Sequence, residues 1–176
     1  MLTEHYGDLI IEARASHYDA ILHCCNCFNT LGRGTAHGIA KTIGEEWPIA
    51  RLADNRTAEG DINKLGTFTD CVTAHGMIIF NVYGQYGYGR GGPRADDVLA
   101  GIYRNWSEQL AFDDKACHVH YPSVAKAFTL INDTYPRLRI GMPAFGAGLA
   151  YGDLDKIREL VRVCLSNHDV HLVLLK

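Results

Sequence analysis

Short apolar runs and longer segments with a helical period follow each other along this chain. Apolar runs bounded by turn residues predict buried strands. The predicted strands are the apolar run Ala20 to Cys25, the alternating run Gly66 to Thr73, and the apolar runs Met77 to Tyr83, Leu138 to Pro143 and Val170 to Leu174, after a first strand that ends before Gly7. His75 and Gly76 are turn residues between the second and third runs, so we predict that these two strands form a hairpin.

Other segments place apolar residues at the spacing of an amphipathic helix. They are Gly38 to Trp47, Asp96 to Phe112, Ser123 to Asn132 and Leu154 to Leu165. Asp96 and Asp153 are positioned to cap the second and the last of these helices, and Pro48 ends or restarts the first. Strands that alternate with helices predict an α/β fold, with a mixed, largely parallel sheet covered on both faces.

Length and composition narrow this picture to one globular domain, residues 1–176. A chain of 176 residues that is 47% hydrophobic and 21% charged can bury one sizeable core. Its formal net charge of −3 disfavours nucleic-acid binding, which needs a basic surface. No apolar stretch approaches the ~18 residues that span a membrane, and the first residues lack a signal-peptide pattern. We therefore expect a cytoplasmic protein without membrane contact and with reduced cysteines.

Polar and glycine-rich segments follow three of the predicted strands: Asn26 to Gly38, Tyr83 to Gly92 and Gly146 to Tyr151. In an open α/β sheet the ligand crevice lies beyond the carboxyl ends of the strands. Gly32, Gly34 and Gly38 precede a helix and can aim backbone N–H groups at an anion, although a surface loop without a ligand can have the same composition. The loop Gly146 to Gly148 repeats this order of strand, glycines and helix. Two such loops predict a diphosphate site.

Four segments carry a more specific signal: Gly7 to Leu9, Ile21 to Asn29, Gly38 to Lys41 and Pro143 to Ala150. Together they resemble a macro domain, and the resemblance runs through nearly the whole chain. Within that family, His23 to Cys27 and Asn81 to Tyr86 are similar to the ADP-ribose 1''-phosphate phosphatase branch found in yeast and bacteriophages. The resemblance implies a three-layer α/β/α sandwich with a mixed, mostly parallel sheet, and an ADP-ribose derivative as ligand.

The resemblance also implies where the ligand binds. Asp8 would bond the adenine amino group, both glycine loops would enclose the diphosphate and distal ribose, and Asn26 and Asn29 would lie near that ribose. Tyr83 and Tyr86 would present aromatic faces at the crevice. The residues predicted to contact the ligand are Asp8, Leu9, Asn26, Asn29, Gly32, Gly34, Gly38, Ile39, Tyr83, Tyr86, Phe145, Gly146, Ala147, Gly148 and Leu149.

Several of these side chains also have a purely structural interpretation. Asp8 can cap a helix, Asn29 can occupy a turn with unusual backbone angles, and either tyrosine can pack in the core. His23 stands where the phosphatase branch has its catalytic histidine, so the resemblance implies hydrolysis of the terminal phosphate of ADP-ribose 1''-phosphate, with His23 as base or nucleophile. A lone histidine on an apolar strand is also a common core residue. The alternatives are a binding module for ADP-ribose, free or attached to protein, and a hydrolase of another ADP-ribose derivative, including one that removes ADP-ribose from proteins.

Other chemistries have less support in the sequence. Neither known phosphate-loop motif is present, which disfavours kinases, motor ATPases and ordinary dehydrogenases. A macro-domain branch that removes ADP-ribose from proteins uses a lysine and an aspartate, whereas Gly44 and Ala150 stand at the matching positions. The residues of the single Cys24 to Cys27 unit alternate between strand faces, so we expect no metal and no cofactor. Thr35 to His37 is an insertion in the first loop, where His37 either titrates near the ligand or is solvated.

Overall fold

The computed structural model of the chain describes residues 1–30, 36–39, 46–88, 94–101, 117–148 and 150–175. The described strands are β1 Leu2–Tyr6, β2 Ala20–Cys25, β3 Phe68–Val72, β4 Ile78–Tyr83, β5 Arg139–Met142 and β6 Asp169–Leu174. They form one sheet in the order β1-β6-β5-β2-β4-β3. Neighbouring strands are parallel except β3, which pairs antiparallel with β4. The predicted hairpin and the mixed, mostly parallel sheet are both confirmed.

Helices cover both faces of this sheet. Within the described residues they are α1 Leu9–Arg14, α2 Glu46–Asn55, α3 Ala95–Leu99, α4 Tyr121–Thr134 and α5 Leu154–Cys164, with a short 3-10 helix at Ile62–Lys64 and a helical turn at residues 36–39. Apolar residues of α1 and α2 pack on one face, and those of α4 and α5 pack on the other. The fold is therefore a three-layer α/β/α sandwich. None of the described helices is long and apolar enough to cross a membrane.

The predicted helix boundaries hold at α5 and change at α3. Asp153 caps α5, because its carboxylate accepts the backbone N–H groups of Asp155 and Lys156. Asp96 does not cap α3: that helix starts after Arg94, whose guanidinium pairs with Asp97 one turn further on. Asp96 instead lies in the first helical turn. Residues 102–116 of this predicted helix lie outside the described residues.

Side-chain alternation along β2 divides the core into two parts. Leu22 packs with Phe80 and Phe128 in the larger cluster, under α4 and α5. Ile21 packs with Ile79 and with residues of α1 and α2 on the opposite face. His23 follows Ile21 at a spacing of two and therefore shares its face. The six cysteines are all thiols, in no disulfide.

The strand order creates a switch point between β2 and β5. These two strands are parallel neighbours, with Ala20 opposite Ile140 and Ile21 opposite Gly141. After β2 the chain continues to β3 and β4 on one side, and after β5 it continues to β6 on the other. The loops after β2 and β5 therefore leave the sheet in opposite directions and open a crevice at its carboxyl edge.

Candidate functional site

The loop after β2 begins with a turn that Asn26 closes. Its Oδ1 accepts the backbone N–H of Phe28 at 2.8 Å, and its Nδ2 donates to the carbonyl and the hydroxyl of Thr30 at 3.0 and 2.8 Å. The residue is only 6% exposed. Asn26 thus shapes the first residues of the glycine-rich loop. Gly32 and Gly34 follow them and lie outside the described residues.

Asn29 has a backbone φ of +55°, in the left-handed region where asparagine is tolerated. The structural interpretation of Asn29 as a turn residue is confirmed. Its Nδ2 donates to the carbonyl of Thr57 at 3.1 Å, and its Oδ1 accepts from the Lys64 ammonium and lies 3.3 Å from Thr57 Oγ1. The side chain is therefore held from two directions, by α2's C-terminal turn and by the 3-10 helix.

A buried charge pair lies beneath this loop. Lys64 is 5% exposed and Asp54 is fully buried, and Lys64 Nζ is 3.8 Å from Asp54 Oδ1. Nζ also donates to the carbonyl of Cys27 at 3.1 Å and lies 4.4 Å from the centre of the Tyr83 ring. The pKa of Lys64 is lowered, because the effect of burial outweighs the opposing effect of Asp54. The pKa of Asp54 is raised, because the effect of burial outweighs the opposing effects of the Tyr83 hydroxyl and of Lys64.

Tyr83 does not present its ring face at the crevice, whereas the role of Tyr86 there stays a prediction. Tyr83 is fully buried, because its hydroxyl donates to Asp54 Oδ1 at 2.7 Å and its ring packs against the Lys64 ammonium. Tyr86 is half-buried, donates its hydroxyl to the Gly60 carbonyl at 2.8 Å, and packs edge-on against Phe28 with ring centres 5.1 Å apart. Both side chains pack beneath the loop after β2 and support it.

His23 is a buried residue, 1% exposed, whose ring bonds Asn81 on β4. His23 Nε2 lies 2.8 Å from Asn81 Oδ1, while Asn81 Nδ2 donates to the carbonyl of Ala50 and the hydroxyl of Thr69. Since Asn81 Oδ1 can only accept, the hydrogen-bond network assigns the imidazole proton to Nε2. Nδ1 is then an acceptor, 3.6 Å from Cys25 Sγ.

The ring of His23 is neutral at pH 7. Burial lowers its pKa to about 4, and the hydrogen bond with Asn81 opposes that shift only in part. Both ring nitrogens face protein groups in the space between the sheet and α2 rather than solvent. The catalytic role of His23 stays a prediction, and its position is that of a core histidine.

The second glycine loop combines a buried anchor with an open tip. Phe145 is fully buried and packs against Phe128, with ring centres 5.3 Å apart. Gly146 has φ +68°, and its carbonyl accepts the N–H of Gly152 at 2.9 Å. Ala147 closes the turn by donating to Ala144 at 2.9 Å. Gly148 is exposed, and a Cβ built there meets no atom within 4 Å. Leu149 lies outside the described residues.

The third part of the crevice is the start of α1. Asp8 is exposed and caps this helix, accepting the N–H groups of Ile10 and Ile11 through Oδ1 at 2.9 and 3.1 Å. Leu9 and Ile39 are buried in the same cluster as Ile10. A Cβ at Gly38 would lie 3.8 Å from Ile10, so the helical turn at residues 36–39 packs against α1. His37 is exposed on that turn, and Thr35 lies outside the described residues.

Comparisons with known proteins give one sequence relative and several structural ones. No protein-family model matches the chain. An uncharacterized 17.5 kDa protein from the tk–vs intergenic region of Enterobacteria phage T4 is 26% identical over 156 residues, which are 87% of this chain and 84% of that protein. A Bacteroides thetaiotaomicron protein of unknown function has a TM-score of 0.68 at 16% identity, covering 99% of this chain and 98% of its own.

Several of the similar solved structures are macrodomains. The macrodomain of Thermus aquaticus DarG has a TM-score of 0.61 at 15% identity and covers 100% of this chain and 98% of its own. This chain has the macrodomain fold. A Trypanosoma brucei macrodomain, solved in complex with ADP-ribose, has a TM-score of 0.54 at 15% identity and covers 99% of this chain and 64% of its own.

The macrodomain fold brings most of the predicted site residues to one edge of the sheet. Described residues of both glycine loops, the start of α1 and the asparagines after β2 lie there, while His23, Tyr83 and Phe145 lie in the core beneath. Sequence reasoning missed Asp54, Thr57 and Lys64, which support Asn29 from behind. The sequence indicates only weakly that Asp54 is buried, because Asp54 follows the buried Ala50 and Ala53 at helical spacing. Lys64 has none.

Proposed function

We propose that this macrodomain binds ADP-ribose, or a derivative of it, in the crevice at the carboxyl edge of the sheet. The observation that carries this proposal is the pair of loops after β2 and β5, on adjacent parallel strands at a switch point. Such crevices are where open α/β sheets bind ligands. The Trypanosoma brucei macrodomain and Thermosipho africanus DarTG, both solved with ADP-ribose, support this ligand.

The described residues at this edge suit the parts of the nucleotide. Asp8 uses one carboxylate oxygen for both capping bonds, so its other oxygen is available to accept the adenine amino group. Gly148 has open space around it, which allows a diphosphate to approach the backbone closely. The amides of Asn26 and Asn29 are uncharged, and a neutral amide costs less to desolvate beside ribose hydroxyls than an ion does.

Calorimetric titration with ADP-ribose tests the proposal, with ADP and AMP as comparison ligands. Asp8→Ser separates the adenine contact from the helix cap, because serine caps a helix about as well as aspartate. We expect the variant to keep its stability and to bind ADP-ribose about tenfold more weakly, which corresponds to one hydrogen bond to a charged group. If the wild-type protein gives no heat of binding, the proposed function is wrong. Equal affinity of both proteins contradicts only the role of Asp8.

The finer hypothesis is hydrolysis of the terminal phosphate of ADP-ribose 1''-phosphate. Water would attack phosphorus, the bond to the ribose oxygen would break, and inorganic phosphate and ADP-ribose would be released. The support is the sequence resemblance at His23 to Cys27 and Asn81 to Tyr86. The measurement is phosphate release by the unchanged protein and by His23→Ala. ADP-ribose binding without release above the buffer rate favours the binding module, whose ligands include ADP-ribose on proteins.

A further inference from the structure

Lys64 is a buried cation that no part of the proposed ligand site uses directly. Its ammonium reaches the loop after β2 at two points, the carbonyl of Cys27 and Oδ1 of Asn29. Its counter-ion is Asp54, which the Tyr83 hydroxyl also bonds. A lysine that served only as a counter-ion would not need to contact the loop. These contacts therefore indicate a second role.

The contact with Lys64 decides the orientation of the Asn29 amide. An ammonium group only donates hydrogen bonds, so the oxygen of the amide must face it and the nitrogen must face away. Thr57 does not compete strongly for that oxygen. Its hydroxyl has one hydrogen and lies 2.6 Å from the carbonyl of Asp54, against 3.3 Å from Asn29 Oδ1. Lys64 is thus the principal donor to Asn29.

The amide nitrogen of Asn29 carries two hydrogens, and its contact with the Thr57 carbonyl uses one. The other is a donor at the start of the glycine-rich loop. We propose that Lys64 is a positioning residue: it fixes the Asn29 amide so that the half-buried side chain presents an N–H donor to an acceptor oxygen of the ligand's distal ribose. This inference rests on the proposed binding of ADP-ribose and names how one ligand contact is oriented.

The test must remove the donor without leaving Asp54 as an unpaired buried charge, which would unfold many proteins. Lys64→Met together with Asp54→Asn does this, because methionine keeps the length of the lysine stem and asparagine still accepts from Tyr83. We call this protein the neutral-pair variant. Lys126→Met is the control for the exchange of lysine for methionine, since Lys126 is exposed on α4. The neutral-pair variant itself leaves the net charge unchanged.

The readout is ADP-ribose affinity by calorimetry in a double-mutant cycle with Asn29→Ala. We expect the neutral-pair variant and Asn29→Ala each to bind about tenfold more weakly, and their combination to bind no more weakly than either one alone. A merely structural role of Lys64 predicts independent losses that multiply to about a hundredfold. Lys126→Met should bind like the unchanged protein. Urea unfolding of each variant confirms that binding is measured on folded protein.

Two outcomes overturn the inference and leave the proposed function intact. In the first, the neutral-pair variant binds ADP-ribose with unchanged affinity. In the second, the losses of affinity caused by the neutral-pair exchange and by Asn29→Ala multiply in the double-mutant cycle. If the neutral-pair variant does not fold, Asn29→Asp replaces it. A carboxylate there still pairs with Lys64 but has no N–H to offer. Unchanged binding therefore overturns the inference, and binding about tenfold weaker supports the Asn29 contact on which it rests. If the wild-type protein does not bind ADP-ribose, the proposed function is wrong and the role of Lys64 does not arise.

Discussion

Replacing Gly146 by alanine is expected to destabilise the protein strongly, although it adds only one methyl group. Gly146 has φ +68°, a left-handed conformation that costs an L-residue roughly 1–2 kcal/mol. The new Cβ would lie 2.5 Å from Val119 Cγ2, much closer than two carbon atoms can approach. Forcing an additional methyl into such a packed site costs about 1–3 kcal/mol. The two effects together give a loss of about 2–5 kcal/mol in the free energy of unfolding.

Urea unfolding followed by far-ultraviolet circular dichroism measures this loss. Gly148→Ala is the control in the same loop, because its Cβ meets no atom within 4 Å, and we expect a change within about 0.5 kcal/mol. Combining Gly146→Ala with Val119→Ala removes the close contact but leaves the positive φ. The double variant should therefore lose less than the sum of the single losses, by about 0.5–3 kcal/mol. Equal midpoints for Gly146→Ala and Gly148→Ala would refute this reasoning.

Three further predictions concern the crevice and the buried network. Gly148→Glu should weaken ADP-ribose binding by about fivefold to a thousandfold with stability unchanged, because like charges 4 Å apart repel by about 1–4 kcal/mol. Calorimetry that finds normal affinity contradicts the site. The pKa of His23 falls from 6.5 to about 4 on folding, so the unfolded chain protonates first as the pH falls. About 2 kcal/mol of stability should be lost between pH 7.5 and pH 5 in urea titrations, and His23→Gln should lose less. Tyr83→Phe should cost about 1–3 kcal/mol because buried Asp54 loses a donor, whereas Tyr6→Phe, at an exposed ring, should be neutral.

Local patterns were sufficient for most of the secondary structure. The run Ala20–Cys25 was predicted as a strand with the bounds it has, because an apolar run between turn residues leaves little choice of conformation. Asp153 marked the start of α5 because a cap acts on the next three residues. The start of α3 was misplaced at Asp96. Arg94 occupies the N-cap position and pairs with Asp97 across the first turn, and arginine is not a usual N-cap residue.

The predicted site divides along the same line. Gly148 and Asn29 follow the ends of strands, and their order along the chain was sufficient to place them at the crevice. The environment of side chains on the strands could not be predicted in this way. Alternation puts His23 and Leu22 on opposite faces, but only pairing between β2 and β4 brings Asn81, 58 residues away in sequence, against the imidazole.

The amino-acid sequence by itself determined the α/β class, the two glycine loops and the resemblance to macro domains, because these depend on periodicity and on motifs within a few residues. The tertiary structure alone decided which polar groups are buried and what they bond. Lys64 reads as a surface residue in its own segment, yet it contacts Asn29 and Cys27, 35 and 37 residues earlier in the chain. Such partners meet only when packed elements exclude water and leave each buried donor to find an acceptor in the protein.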